Sequence, residues 1–333
     1  MKKWHYPFLL LLIVGTVLIL GRSRKENMTY HTNQGYVFGT TYKITYRSHI
    51  DREAEIKDAL QRVDNALSMF NDSSTISRIN RNEPVIAADD TMFIQVFRRA
   101  MQISELTHGA FDITVAPAVN AWGFGFKNSE DITDQVIDSL KQITGYWKIR
   151  EENGMIIKDD PRIMLDCSAI AKGFGCDAVA SVLRADSISD FLVEIGGELV
   201  LSGKNAKGEE WNIGVNQPEE EPAGTTVLNT ILQMTDCALA TSGNYRNFYE
   251  KDGVKYAHTI DPKSCRPVRH SLLSATVIAS DCATADALAT SFMVMGADSA
   301  TAIVGRNPEI QAYLLVSSGD GIEAVDLLSD DSE

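Results

Sequence analysis

Cysteine is scarce in this chain and shows no pattern. The five cysteines, Cys167, Cys176, Cys237, Cys265 and Cys282, are odd in number and form no CxxC pair, which argues against a disulfide framework and against a thiolate zinc site. The six histidines contain no HExxH pair, so the helical zinc-hydrolase arrangement is missing as well. Positive charge is in deficit, with 31 Lys and Arg against 45 Asp and Glu and a formal net charge of -14. Nucleic acid is therefore a poor partner, because phosphate backbones are held by basic surfaces. There is no internal repeat, no low-complexity block, and no Walker or GxGxxG spacing.

What is present is ordinary globular material: 333 residues, 44% hydrophobic and 23% charged, enough for a large core or two packed lobes. The N-terminus stands apart. Lys2 and Lys3 precede the apolar run Phe8 to Leu20, and Arg22, Arg24 and Lys25 follow it. No small-x-small cleavage site or lipid-attachment cysteine closes the run, so residues 1–26 read as an uncleaved signal anchor with a basic flank rather than a removed signal peptide. The expected location is exported and inner-membrane anchored, facing the periplasm. Residues 27–35 read as a polar linker, 36–328 as the folded domain, and 329–333 as an acidic tail.

Within the domain, GTTYKITY at 39–46 alternates like a strand, and Asp51 to Phe70 carries Ile56, Leu60, Val63 and Leu67 on one helical face. Further helices are expected over Thr91 to Thr107, Thr133 to Ile143 and Ser168 to Leu183. A hairpin is expected between Met155 to Ile157 and Arg162 to Leu165. Short strands follow at Phe191 to Ile195, Leu199 to Ser202, Trp211 to Val215, Val227 to Met234 and Ser274 to Ala279. Helices early and strands late, without βαβ alternation, indicate an α+β fold with antiparallel or mixed sheets and packed helices.

Four segments carry candidate chemistry. In HGAFDITVAPAVNAWGFG, 108–125, the aromatics Phe111, Trp122 and Phe124 beside Asp112 offer flat apolar surface for a planar ring, although a packed loop accounts for them equally well. In LDCSAIAKGFGCDAVA, 165–180, Asp166 and Ser168 are ordinary capping chemistry at a helix start. Lys172 with Gly173 and Gly175 in the first turns adds the elements of a phosphate site: a helix N-terminus, a cation, and glycines that allow close backbone approach. In KYAHTIDPKSCRPV, 255–268, His258 titrates near neutrality and is a candidate base beside a proline-marked turn. In DCATADALATSFMVMG, 281–296, Asp286 and Thr290 share a helix face. Two readings stay open for that pair: Asp286 capping a neighbouring loop with Thr290 bonded back to the Asp286 carbonyl, or both ligating a hard cation such as magnesium.

Taken in order, the motifs FGTTY, LSMF, SRIN, GAFDITVAPAVNAWGFG, DCSAIAKGFGCD, EIGGELVLSG, ATSGNY, HTIDP and ADALAT, spread over 38–290, resemble the ApbE family, the FAD:protein FMN transferases. The resemblance implies an ApbE-like, T-fold-related architecture and a reaction in which FAD, with Mg2+, gives FMN to a threonine hydroxyl of a flavin-carrying electron-transfer subunit and releases AMP. It implies that the flavin lies against Phe38, Phe70 and Ala110-Phe111-Asp112, with Asp166, Lys172 and Ile260 on the dinucleotide. It also implies magnesium on Asp286, Thr290 and the main chain of Ala169, with Ala289 nearby, and His258 as base or phosphate contact. Two departures stand out: Cys265 where the family usually has glycine, and Phe38 where methionine is common. An FAD pyrophosphatase, with water in place of the threonine, and a non-catalytic flavin-binding module are the alternatives.

Overall fold

The computed structural model describes residues 10–16, 28–124, 132–216, 228–243, 248–251, 254–257, 259–319 and 321–328. The acidic tail, His258 and most of the N-terminal segment lie outside them. Residues 10–16 are helical, and among the described residues no helix is long and apolar enough to cross a membrane.

An eight-stranded sheet organises the domain. Its strands are β1 (Thr29–Val37), β2 (Thr40–Ser48), β5 (Phe191–Ile195), β6 (Glu198–Ser202), β9 (Ala238–Gly243), β14 (Leu272–Ala279), β15 (Gln311–Ser318) and β16 (Gly321–Leu327), hydrogen-bonded in that order. Every neighbouring pair is antiparallel. The expected α+β class with antiparallel sheets is therefore the observed one. The polar stretch read as a linker is instead, from Thr29 onward, strand β1. It is polar because it is an edge strand with one partner, so most of its side chains meet solvent rather than core.

Period-two alternation sends the side chains of the central strands to two different cores. In β6, Val200 packs with Val179, Ala180 and Leu183 of helix α6 (Ser168–Ala185). Leu199 and Leu201 point the other way, against Trp211 and Ile213 of β7 (Trp211–Asn216), which pairs with β8 (Leu228–Met234) as a hairpin on that face. On the helical side, α1 (Glu53–Leu67) lays Ile56, Ala59 and Leu60 over Tyr42, Ile44 and Tyr46 of β2. Helices α2 (Thr75–Asn80), α3 (Thr91–Leu106), α7 (Cys282–Met295) and α8 (Ala297–Val304) extend that layer; α4 (Ala116–Ala121) and α5 (Asp134–Gln142) belong to a smaller cluster with Trp122 and Ile260.

The expected hairpin around Met155 forms with a different partner. Strand β4 (Met155–Lys158) pairs with β3 (Ile149–Glu152), because Asn153 and Gly154, with φ of 51° and 76°, make a two-residue turn matched to strand twist. Residues 162–165 form no strand; Ile163 and Leu165 are buried, and the Leu165 backbone is held by both ends of the Asn80 amide. Strands β9 and β15 and helix α8 were not anticipated. ALATSG is built from small residues and lacks the β-branched or aromatic signal of a strand.

Helices α6 and α7 approach more closely than side chains normally permit. A Cβ on Gly173 would sit 2.2 Å from the Cys282 carbonyl oxygen and 2.8 Å from the Asp286 Cβ, and one on Gly175 would sit 2.7 Å from the Phe38 ring. Both glycines serve protein packing, so close approach to a phosphate is not their structural reason. Asp177 of α6 completes the contact, accepting hydrogen bonds from the Cys282 and Ala283 amides at 2.9 Å each, while Asp281 caps the same helix end through Thr284 N at 2.9 Å.

Two predictions follow from that helix contact. Gly173→Ala should lower stability in urea unfolding by about 3 kcal/mol or more, the upper end of overpacking costs, because the obstructing atoms are backbone. Burial raises the Asp177 carboxyl from 3.8 to about 7. The folded state therefore holds the proton more tightly, and this group's contribution to stability falls as pH rises from about 4 to 7. The stability advantage of the parent over Asp177→Ala should shrink across pH 5 to 7; an advantage that grows over that range would contradict a buried carboxyl here.

Candidate active site

One cavity of about 920 Å³ opens where these elements converge. Its first wall is the start of α6. Asp166 Oδ1 accepts from Ser168 N at 2.7 Å and from Ser168 Oγ at 2.5 Å, and burial pushes the Asp166 carboxyl upward. Ala169 and Lys172 follow on the cavity side.

Helix α7 supplies the facing wall. Asp286 and Thr290, one turn apart, both line the cavity, whereas Ala289 between them is fully buried in the main core and not in the lining. The capping reading fails for both residues. Asp286 caps no loop: its Oδ2 accepts from the amide of Gly173, inside α6, at 3.0 Å. Thr290 Oγ1 is hydrogen-bonded to Ser242 Oγ of β9 at 3.1 Å.

A residue that the motifs did not single out completes this wall. Ile195 pairs with Glu198 across Gly196 and Gly197, whose φ of 66° and 106° only glycine adopts easily. The tight turn places Glu198 at the first position of β6, 3% exposed and in the cavity lining. Lys172 Nζ lies 3.3 Å from Glu198 Oε1 and 3.7 Å from Asp286 Oδ1. Burial raises Glu198 to about 8, with the Asp286 charge adding to the shift and Lys172 opposing it. Burial alone would lower the Lys172 ammonium, but Asp286 and then Glu198 outweigh it and hold it above its ordinary range. Two carboxyl groups share one ammonium, and Glu198 holds its proton more tightly than an ordinary glutamate. Within EIGGELVLSG, a Glu between a Gly-Gly turn and an apolar strand was the available signal.

The third wall is the aromatic segment. Ala110, Phe111, Asp112 and Phe124 line the cavity, and Phe70 stands at its edge, 85% exposed. Trp122 is not in the lining; its indole donates to the Cys265 carbonyl at 2.8 Å and ties this segment to the turn between β12 (Ile260–Asp261) and β13 (Arg266–Pro267). Cys265 takes φ of 52°, a left-handed conformation that favours the glycine usual there. Ile260 and Thr259 line the cavity. Phe38 does not: at φ 50° in the β1–β2 turn it packs under α6 against Gly175. Of the expected site residues, Phe70, Ala110, Phe111, Asp112, Asp166, Ala169, Lys172, Ile260, Asp286 and Thr290 thus share one cavity. His258 is outside the described residues.

Among the described residues no group of three or more His, Cys, Asp or Glu side chains is arranged to hold a metal. Any cation here would have one carboxylate, Asp286, and otherwise neutral oxygens, which suits a hard ion that completes its shell with water and phosphate. An aromatic mouth, a helix start with a lysine, and a buried acidic pair describe a site for a molecule that is planar at one end and anionic in its middle.

The comparisons agree with that description. The model of the ApbE family matches residues 38–314. A protein named FAD:protein FMN transferase from Vibrio cholerae serotype O1 is 35% identical, covering 97% of this chain and 96% of its own. One of the same name from Escherichia coli K12 is 30% identical over 94% and 93%. Among solved structures, the flavin transferase ApbE from Vibrio cholerae superposes with a TM-score of 0.81 at 36% identity, covering 90% of this chain and 97% of that one. The ApbE protein of Thermotoga maritima gives 0.76 at 27%, over 89% and 96%. The fold is that of the flavin transferases, and the relatives are transferases. The chain belongs to the ApbE family.

The aromatic wall rests on Asp112, 5% exposed, whose carboxylate accepts from Thr114 N at 2.8 Å, Thr114 Oγ1 at 2.6 Å and Tyr146 N at 2.7 Å. Asp112→Ala should cost about 3 kcal/mol in urea unfolding, because it leaves buried donors unpaired. Asp112→Asn, which keeps an acceptor oxygen, should recover part of that loss.

Proposed function

We propose that this chain transfers FMN from FAD to a threonine hydroxyl of a partner flavoprotein subunit, with Mg2+, and releases AMP. The observation that carries this reading is the pairing, in one cavity, of an aromatic wall with the Lys172–Glu198–Asp286 cluster. The first suits an isoalloxazine ring and the second a diphosphate.

Phosphoryl displacement depends mainly on positioning and on neutralising oxygens. Phe70, Phe111 and the Ala110 backbone are suited to hold the flavin, and Asp166 and Ile260 to frame the rest of the dinucleotide. Lys172 is placed to set positive charge on the diphosphate. Asp286, Thr290 and the Ala169 carbonyl are the residues that would hold magnesium, which when bound supplies Lewis-acid polarisation of the phosphorus and charge neutralisation on the leaving group. They fit such an ion, because the buried carboxyls outnumber the ammonium. The acceptor oxygen forms a bond to the FMN phosphorus as the bond to the AMP phosphate oxygen breaks. The hydroxyl proton passes to a base, for which His258 is the candidate; the adjacent Thr259 lines the cavity.

The basic-flanked apolar run Phe8 to Leu20 supports export and anchoring in the inner membrane with this domain in the periplasm. Flavin-carrying subunits of electron-transfer proteins are then the accessible partners.

The test is to incubate the domain from Asn27 onward with FAD, Mg2+ and a threonine-bearing acceptor protein, then weigh the acceptor. An FMN increment that disappears with EDTA and falls at least a hundredfold in Asp286→Ala is the expected result. Free FMN and AMP without adduct would replace transfer by hydrolysis. Flavin binding with no turnover would leave only a carrier.

A further inference from the structure

Lys172 is held by two carboxylates of unlike kind. Asp286 is 2% exposed and already engaged by the Gly173 amide, while Glu198 comes from the sheet and gives the shorter contact, 3.3 Å against 3.7 Å. Glu198 Oε2 is buried and has no hydrogen-bond partner among the described residues. A buried carboxylate oxygen left unpaired is unfavourable, so stability does not explain a glutamate at this point of an otherwise apolar strand.

Resting on the reading above, we infer that Glu198 is a positioning residue for Lys172: it holds the ammonium over the diphosphate when Asp286 is occupied by a cation. The reasoning is one of charge and place. Asp286 cannot serve a cation and remain the main partner of the lysine. Lys172 ends a long flexible stem, and a second fixed acceptor oxygen keeps it aimed at one point. Glu198 is fixed twice, by its pairing opposite Ile195 and by the two-glycine turn behind it. Its side chain reaches Lys172 from the sheet while Asp286 reaches it from α7, so loss of one anchor leaves the other in place.

The experiment is a double-mutant cycle on the full-length protein with Glu198→Ala, Lys172→Met and both together. It reads FAD affinity by quenching of flavin fluorescence, kcat and KM for FAD in FMN transfer, and the melting temperature. Each single variant should lower kcat/KM for FAD at least tenfold, and the double variant should lie within about threefold of Lys172→Met, since the glutamate acts through the lysine. Glu198→Gln, which keeps an acceptor for the ammonium, should regain activity relative to Glu198→Ala without a matching change in melting temperature. Losses that multiply in the double variant, or that follow melting temperature alone, would overturn the inference. If the variants couple in FAD binding while no acceptor is modified by the parent protein, the transfer reading fails and the role of Glu198 stands. Should Lys172→Met not fold, Lys172→Gln, which removes the charge but keeps a polar end, completes the same cycle.

Discussion

The structure depends on how near two helix backbones can come. With no side chain at Gly173, the Cys282 carbonyl and the Asp286 side chain press directly on α6. That contact fixes the start of α6 against the start of α7, and it takes the Gly173 amide into a hydrogen bond with Asp286. The acidic side of the cavity is thus produced by helix packing before any ligand is considered. The terminal amides of α7 are satisfied by Asp177 from the neighbouring helix and by Asp281 from its own end, so the helix end is fastened as well as close.

Around this contact the sheet contributes order rather than bulk. Its central strands present apolar residues to both faces, and that leaves few positions where a polar side chain can point inward. Glu198 and Ser242 occupy strand ends beside the cavity, and Thr290 of α7 bonds to Ser242 there. Stable core and cavity therefore meet on the same strands, and Leu199, Ile213 and Leu239 belong to both.

Much of this was legible from residues alone. Helical periodicity located α1, α3, α5 and α6 to within a few residues, and Asp286 with Thr290 on one helix face drew attention to the cavity wall. Three features escaped for physical reasons. The Asn153-Gly154 turn chose the partner of β4, and a partner on either side was compatible with its apolar pattern. The glycines after Lys172 read as room for a phosphate because sequence does not show what faces them; the neighbour is another helix. Glu198 looked like one more acidic residue in an acidic chain; its place after a Gly-Gly turn was the one sequence sign, and burial is what sets it apart from the exposed Glu53 or Glu55. The resemblance to a family supplied roles for individual residues, and the cavity brings most of them together while leaving Phe38 beneath α6.

The turn that carries Glu198 has a consequence for how this wall can vary. A two-residue turn has no slack, and side chains along a strand alternate between faces. One residue added or lost between Ile195 and Glu198 would turn the acid to the opposite face of the sheet, while also exchanging the two cores that Val200 and Leu201 serve. Length change at this point is closed to the protein, so diversity in this corner of the site can arise only by replacing one side chain with another.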